Sequence, residues 1–132
     1  MSDGISRIVF TYLDYLLVAD PPARPSDFRF RFRNSIEHFH PRHPDEQMTG
    51  DTVSPACLDL LGNLALVSVG ANSKFSNSLP RAKALNFQET IGRQSPKLME
   101  MARITRTEGW GDAQILAHHD RMVALLRRDV VG

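Results

Sequence analysis

Ile36-Glu37-His38-Phe39-His40-Pro41 sets an acid beside an imidazole, and two asparagine-bearing stretches follow it: Gly62-Asn63-Leu64-Ala65-Leu66-Val67, then Asn72-Ser73-Lys74. These residue types are the parts of a one-metal phosphodiesterase. An imidazole has an ordinary pKa of about 6.5 and can take a proton from water near neutral pH. A carboxylate and an amide oxygen can hold a hard divalent cation such as Mg²⁺, which keeps several waters and needs few protein ligands. Mn²⁺ accepts the same donors. Such an ion stabilises charge on a leaving oxygen, which a histidine alone cannot do. Each piece is common by itself; the order and local context carry the signal.

Outward from these stretches, the chain reads as a few short strands followed by helices, with one helix before them. Ile5, Ile8, Val9, Tyr12, Leu13, Leu16 and Leu17 recur at helical spacing, which predicts a helix over 5–19, ended by Pro21-Pro22. Residues 21–25 then form a connector. Phe28-Arg29-Phe30-Arg31-Phe32-Arg33 alternates with period two and predicts a half-buried strand, phenyl on one face and guanidinium on the other. The arginine face is either a solvated sheet surface or a row of phosphate contacts. Ile36 to Phe39 makes a second short extended piece, and 40–53 reads as loop. Neighbouring residues on a strand point to opposite faces, so Glu37 and His38 need local twist or a bulge to aim at one point.

Ser54-Pro55 has the form of an N-cap followed by a first-turn proline, so a short helix is expected over 55–61, with Gly62 just past its end. Asn63 to Ser68 is apolar and predicts a strand; Ala71 to Ser78 predicts a turn of helix or more. Beyond Pro80 the pattern is helical, with starts at Ser95-Pro96 (through about Arg103) and Trp110-Gly111-Asp112 (through Arg128). Trp110 is expected as a core anchor. His118 and His119 cannot both face one ligand on a helix and are read as surface or packing residues.

Composition sets the outer bounds. At 132 residues, with 42% hydrophobic and 23% charged, the chain suits one folded domain with a single core. Its single cysteine, Cys57, excludes an internal disulfide and a cysteine-based zinc site, and its apolar neighbours predict a buried thiol. Asp14 and other polar residues interrupt the apolar run near the N-terminus, so no secretion signal is read there. No stretch reaches membrane-span length, and a cytoplasmic protein is the expectation. The net charge of +1 hides a division. Acids (Asp45, Glu46, Asp51, Asp59) fill 44–73 without a lysine or arginine, whereas Lys74, Arg81, Lys83, Arg93, Lys97, Arg103 and Arg106 dominate 74–106. Basic segments on both sides of the motifs suit a polyanion, as they would a solvated surface. His38, His40 and His43 lie close in sequence and raise structural zinc as an alternative, but a fourth nitrogen or sulfur ligand is not evident.

The motif set resembles the HNH-type (ββα-metal) nuclease, and within it the C-terminal nuclease domain of GmrSD-like modification-dependent restriction endonucleases. The residues that carry the resemblance are Glu37-His38 with Pro41, Gly62-Asn63-Leu64-Ala65-Leu66, and Asn72-Ser73-Lys74-Phe75-Ser76-Asn77, with Pro80, Lys83 and Trp110 beyond. It spans roughly residues 28–128. The resemblance implies an α+β fold: a small ββα-metal core flanked by an N-terminal helix and C-terminal helices. It implies a single domain over 1–132, with the motif core at about 28–83 and a helical part at about 84–132. His38 would be the general base, Glu37 and Asn72 the metal ligands for Mg²⁺ or Mn²⁺, and Asn63 a catalytic-site residue that fixes the His-bearing strand across the loop. Lys74, Lys83, Arg29, Arg31 and Arg33 are the candidate phosphate contacts. The implied activity is metal-dependent hydrolysis of DNA phosphodiester bonds in defence against foreign DNA. The alternative is a nucleic-acid-binding or regulatory module with a degenerate nuclease core. Such domains usually follow a ParB-like nucleotide-hydrolysing sensor, so the chain is expected to be an excised piece or a subunit whose partner supplies recognition.

Overall fold

The computed structural model describes residues 3–19, 28–43 and 53–131. The connector expected at 21–25 and the acidic stretch at 44–52 lie outside the described residues. The architecture is α+β, mostly helical, with a small two-stranded antiparallel sheet. Helix α1 (Asp3–Ala19) is followed by strand β1 (Ser35–His38), short helix α2 (Pro55–Leu58), a 3₁₀ turn (Leu61–Asn63) and strand β2 (Leu64–Val67). Then come α3 (Val69–Phe75), α4 (Pro80–Asn86), α5 (Gln88–Gln94), α6 (Pro96–Glu108) and α7 (Asp112–Val131). The strands pair from Ser35 opposite Val67 to His38 opposite Leu64.

Helix starts obey local chemistry. Proline occupies the first turn of α2, α4 and α6, where its missing N–H costs nothing. The Ser68 hydroxyl accepts from Ala71 N, and the Ser95 hydroxyl from Leu98 N. Helix α2 stops short of the expected Leu61, and Gly62 serves a different end from helix exit. A Cβ on Gly62 would lie 2.3 Å from the Ile115 carbonyl oxygen and 2.7 Å from His119 Cβ. The 3₁₀ turn is therefore pressed onto α7, where Gly62 N donates to His119 Nδ1 at 3.2 Å. His118 is buried against Trp110.

The main core gathers Phe39, Val67, Phe75, Ile91, Met101, Trp110 and Ile115 around the inner face of the sheet, with Cys57 buried at its edge. A smaller cluster packs Leu13 and Leu17 of α1 on Met122 and Leu125 of α7.

The strand expected at 28–33 does not form. Residues 28–34 have no regular secondary structure, and the alternation does not sort by burial: Phe28 is buried, Phe30 and Phe32 are exposed, and Arg33 is only 4% exposed. A lone segment needs a neighbouring strand to satisfy its backbone, and β2 pairs with β1 from residue 35 onward. What captures this segment is an ion pair. Arg33 donates to Asp14 Oδ2 at 2.6 Å and to the carbonyls of Leu66 and Gln94. Asp14 in turn accepts from Ser95 Oγ and Lys97 N, both at 2.9 Å, so one carboxylate from α1 also caps α6. Burial pushes the Asp14 carboxyl up against the pull of Arg33.

Lys97 is fully buried, and its Nζ donates to the carbonyls of Leu61 and Leu64, joining α6 to the 3₁₀ turn and β2. Burial pulls its pKa from 10.5 down to about 7, against Asp14 and Glu100. In the unfolded chain the ammonium keeps its ordinary value, so between about 7 and 10.5 the unfolded state binds more protons and native stability rises with pH. The slope from this group approaches about 1.4 kcal/mol per pH unit. Urea unfolding at pH 7, 8 and 9 should show that rise in the wild type and not in Lys97→Met. Equal slopes in the two proteins would refute it.

Candidate functional site

Strand β1 ends at His38, and alternation along it separates the acid from the imidazole: Glu37 is buried against Lys83 and His38 is partly exposed, while both border one open cavity. The His38 side chain is 24% exposed, and its Nε2 lies 2.8 Å from Asp59 Oδ1. The same oxygen accepts from Arg42 at 2.7 Å. These hydrogen bonds, His38 first and Arg42 second, hold the Asp59 carboxyl below its ordinary value. His38 Nδ1 makes no hydrogen bond among the described residues. With a carboxylate on Nε2, the ring favours the tautomer that carries its proton there and offers Nδ1 as an acceptor.

Glu37 is 3% exposed, with one carboxylate oxygen 2.8 Å from Lys83 Nζ. Burial pushes the Glu37 carboxyl up and the Lys83 ammonium down, each against the attraction of the other. Lys83 also donates to the carbonyls of His38 and Phe39, both at 2.8 Å. It clamps the end of β1 to α4. Lys83 and Arg33, expected at phosphates, are therefore corrected to interior cations: Lys83 is 1% exposed and Arg33 sits on Asp14. Each offsets a buried carboxylate that would otherwise be uncompensated.

Asn63 binds the chain that leaves β1. Its Oδ1 accepts from His40 N at 3.0 Å and from Trp110 Nε1 at 2.9 Å. Its Nδ2 donates to the carbonyls of His40 and Leu58, at 3.1 and 2.9 Å. The Asn63 carbonyl accepts from Phe39 N as well. This residue positions the His38 strand and does not face solvent.

His38 and Asn72 line one open cavity of about 330 Å³, together with Glu37, His43 and Ser76. Asn72 comes from α3, which follows β2 directly, and its side-chain amide makes no hydrogen bond among the described residues. Ser76 has φ 48° and ψ −138°, a conformation that residues with a Cβ rarely adopt, and it turns the chain at the cavity wall. Lys74 is exposed in the last turn of α3. Arg29 and Arg31 are exposed on the segment before β1. Among the described residues no three His, Cys, Asp or Glu side chains gather as a metal site, so His38, His40 and His43 do not form one. Asp59 escaped the sequence reading because its link to His38 crosses 21 positions without a periodic or motif signal.

The family model of the C-terminal domain of GmrSD restriction endonucleases matches residues 3–125. The chain belongs to that family. No curated protein and no solved structure matches it. The GmrSD C-terminal match takes in α1 as well as the motif region, in keeping with the Asp14 contacts that tie α1 to Arg33 and α6. Membership carries a nuclease role of the restriction-endonuclease type. Among the described residues no helix is long and apolar enough to cross a membrane.

Proposed function

We propose that this chain is an HNH-type endonuclease domain that hydrolyses DNA phosphodiester bonds with the help of one divalent ion. The observation that carries the reading is the shared cavity of His38 and Asn72, each with a side-chain atom that no hydrogen bond engages among the described residues. The succession of β1, β2 and α3 supports it, since a ββα-metal core is built from two antiparallel strands and a following helix.

In this reading His38 Nδ1 accepts the proton of the attacking water, while Asp59 holds the ring and stabilises the imidazolium that results. The ion fits the donors present: Glu37 and Asn72 line the cavity and offer the oxygen atoms that Mg²⁺ or Mn²⁺ takes. Lys83 occupies one Glu37 oxygen, and among the described residues no hydrogen bond engages the other, which would face the ion. When bound, the ion would offset charge on the phosphate and its leaving oxygen. Lys74, Arg29 and Arg31 are exposed and suited to phosphates on either side. We propose further that the whole chain acts as one domain in the cytoplasm. A ParB-like nucleotide-hydrolysing sensor would supply DNA recognition, in defence against foreign DNA.

The test uses supercoiled plasmid with Mg²⁺ or Mn²⁺, with and without EDTA. Nicked circles that require the ion are the expected result. Salt-sensitive binding with no nicking under either ion would instead support a binding module.

A further inference from the structure

An open groove of about 620 Å³ lies between α1 and residues 30–33, apart from the His38 cavity. Its walls are aromatic: Tyr12 and Tyr15 from α1, with rings stacked at 6.3 Å, face Phe30 and Phe32. Phe32 is 77% exposed, Tyr15 55% and Phe30 49%. Arg7 and Arg31 stand in the same walls, and the Arg7 guanidinium lies 5.5 Å from the centre of the Phe32 ring. No acidic residue lines it among the described residues.

Large exposed rings in one place mark a surface that another molecule covers. The cations select an anionic occupant, and the rings select one with flat apolar faces. Unpaired nucleotides offer both, because their bases stack on aromatic side chains while phosphates meet arginines. A closed duplex keeps its base faces inside the stack. The groove also has the right address: Phe32 stands six residues before His38 on a segment that runs straight into β1, a contour of at most about 20 Å.

We propose that this groove binds unpaired bases of the nucleic-acid substrate, so that cleavage at His38 is directed to DNA carrying a single-stranded or opened segment. Its connection to cleavage rests on the nuclease reading; the binding itself does not.

Binding is measured by fluorescence anisotropy on the full chain carrying His38→Ala, in EDTA. The probe is a labelled mixed-sequence single-stranded DNA of about 16 nucleotides, with the corresponding duplex alongside. Phe30→Ala with Phe32→Ala should weaken single-strand binding about tenfold to a hundredfold and duplex binding far less. Both side chains are exposed, so the fold should survive, which circular dichroism checks. Phe32→Trp gives an independent signal, since a stacked base quenches indole emission. Unchanged affinity in the double variant, or unquenched Trp emission at saturating single strand, overturns the proposal and leaves the groove to a protein partner. Plasmid nicking by the same Phe variants with His38 intact separates the two claims. Nicking that persists alongside unchanged single-strand binding sinks the groove alone, and single-strand binding that depends on the rings in a chain that never nicks sinks the nuclease reading alone.

Discussion

Replacing His38 by alanine is expected to lower metal-dependent plasmid nicking by about two to four orders of magnitude, the usual worth of a positioned general base. Stability should change little. The ring is partly exposed, and its partner Asp59 is 61% exposed. Exposed pairs of this kind contribute little to stability, because water screens the attraction. DNA binding should persist, because the exposed cations Lys74, Arg29 and Arg31 are untouched. Asp59→Ala belongs in the same assay and should fall between the wild type and His38→Ala, since it frees the ring without removing it. Full nicking activity in His38→Ala would remove this residue from the mechanism. Lost activity together with a collapsed unfolding midpoint would assign it a structural role instead.

The largest stability effect is expected at Asn63. Its side chain makes four hydrogen bonds, to His40 N, Trp110 Nε1, and the carbonyls of His40 and Leu58. Asn63 is 0% exposed, so alanine would remove these four hydrogen bonds at a site closed to water. At about 1–3 kcal/mol for each buried group left unpaired, and with some relaxation, Asn63→Ala should cost about 3–5 kcal/mol. Thermal and urea unfolding measure this directly. Asn63→Asp should also destabilise strongly, because it keeps the two acceptor contacts but sets an oxygen against two carbonyls. Loss of under about 1 kcal/mol in Asn63→Ala would mean that the turn between His40 and Trp110 is held by other contacts. Nicking should fall with stability in these variants, since the strand that presents His38 leaves through this junction.

Much of the secondary structure was legible because it is written in local chemistry. The apolar repeat of α1, the proline starts of α2, α4 and α6, and the short apolar run of β2 each follow from neighbours a few residues apart. The motif pattern also carried the family: Glu37-His38, Gly62-Asn63-Leu64 and Asn72 stand in the region that the GmrSD C-terminal model matches. Phe28 to Arg33 misled for a physical reason. Period-two alternation marks a strand only when a partner strand is available, and here none pairs with residues 28–34 among the described residues while Asp14 holds Arg33. Charged residue types proved a poor guide to surface position as well. Lys83, Lys97, Arg33, Asp14 and Glu37 all lie inside, where carboxylates and backbone carbonyls far away in sequence receive the cations.

From the chain alone came most of the helices, both of the strands that form and the residue types a phosphodiesterase needs, because propensity, capping and motif spacing act over short range. Only the folded molecule decided which face each of Glu37 and His38 takes, that Asp59 holds the imidazole, and that Lys83 is a clamp and not a phosphate contact. Those outcomes depend on burial and on pairing between segments 21 to 46 positions apart, and no local pattern encodes them.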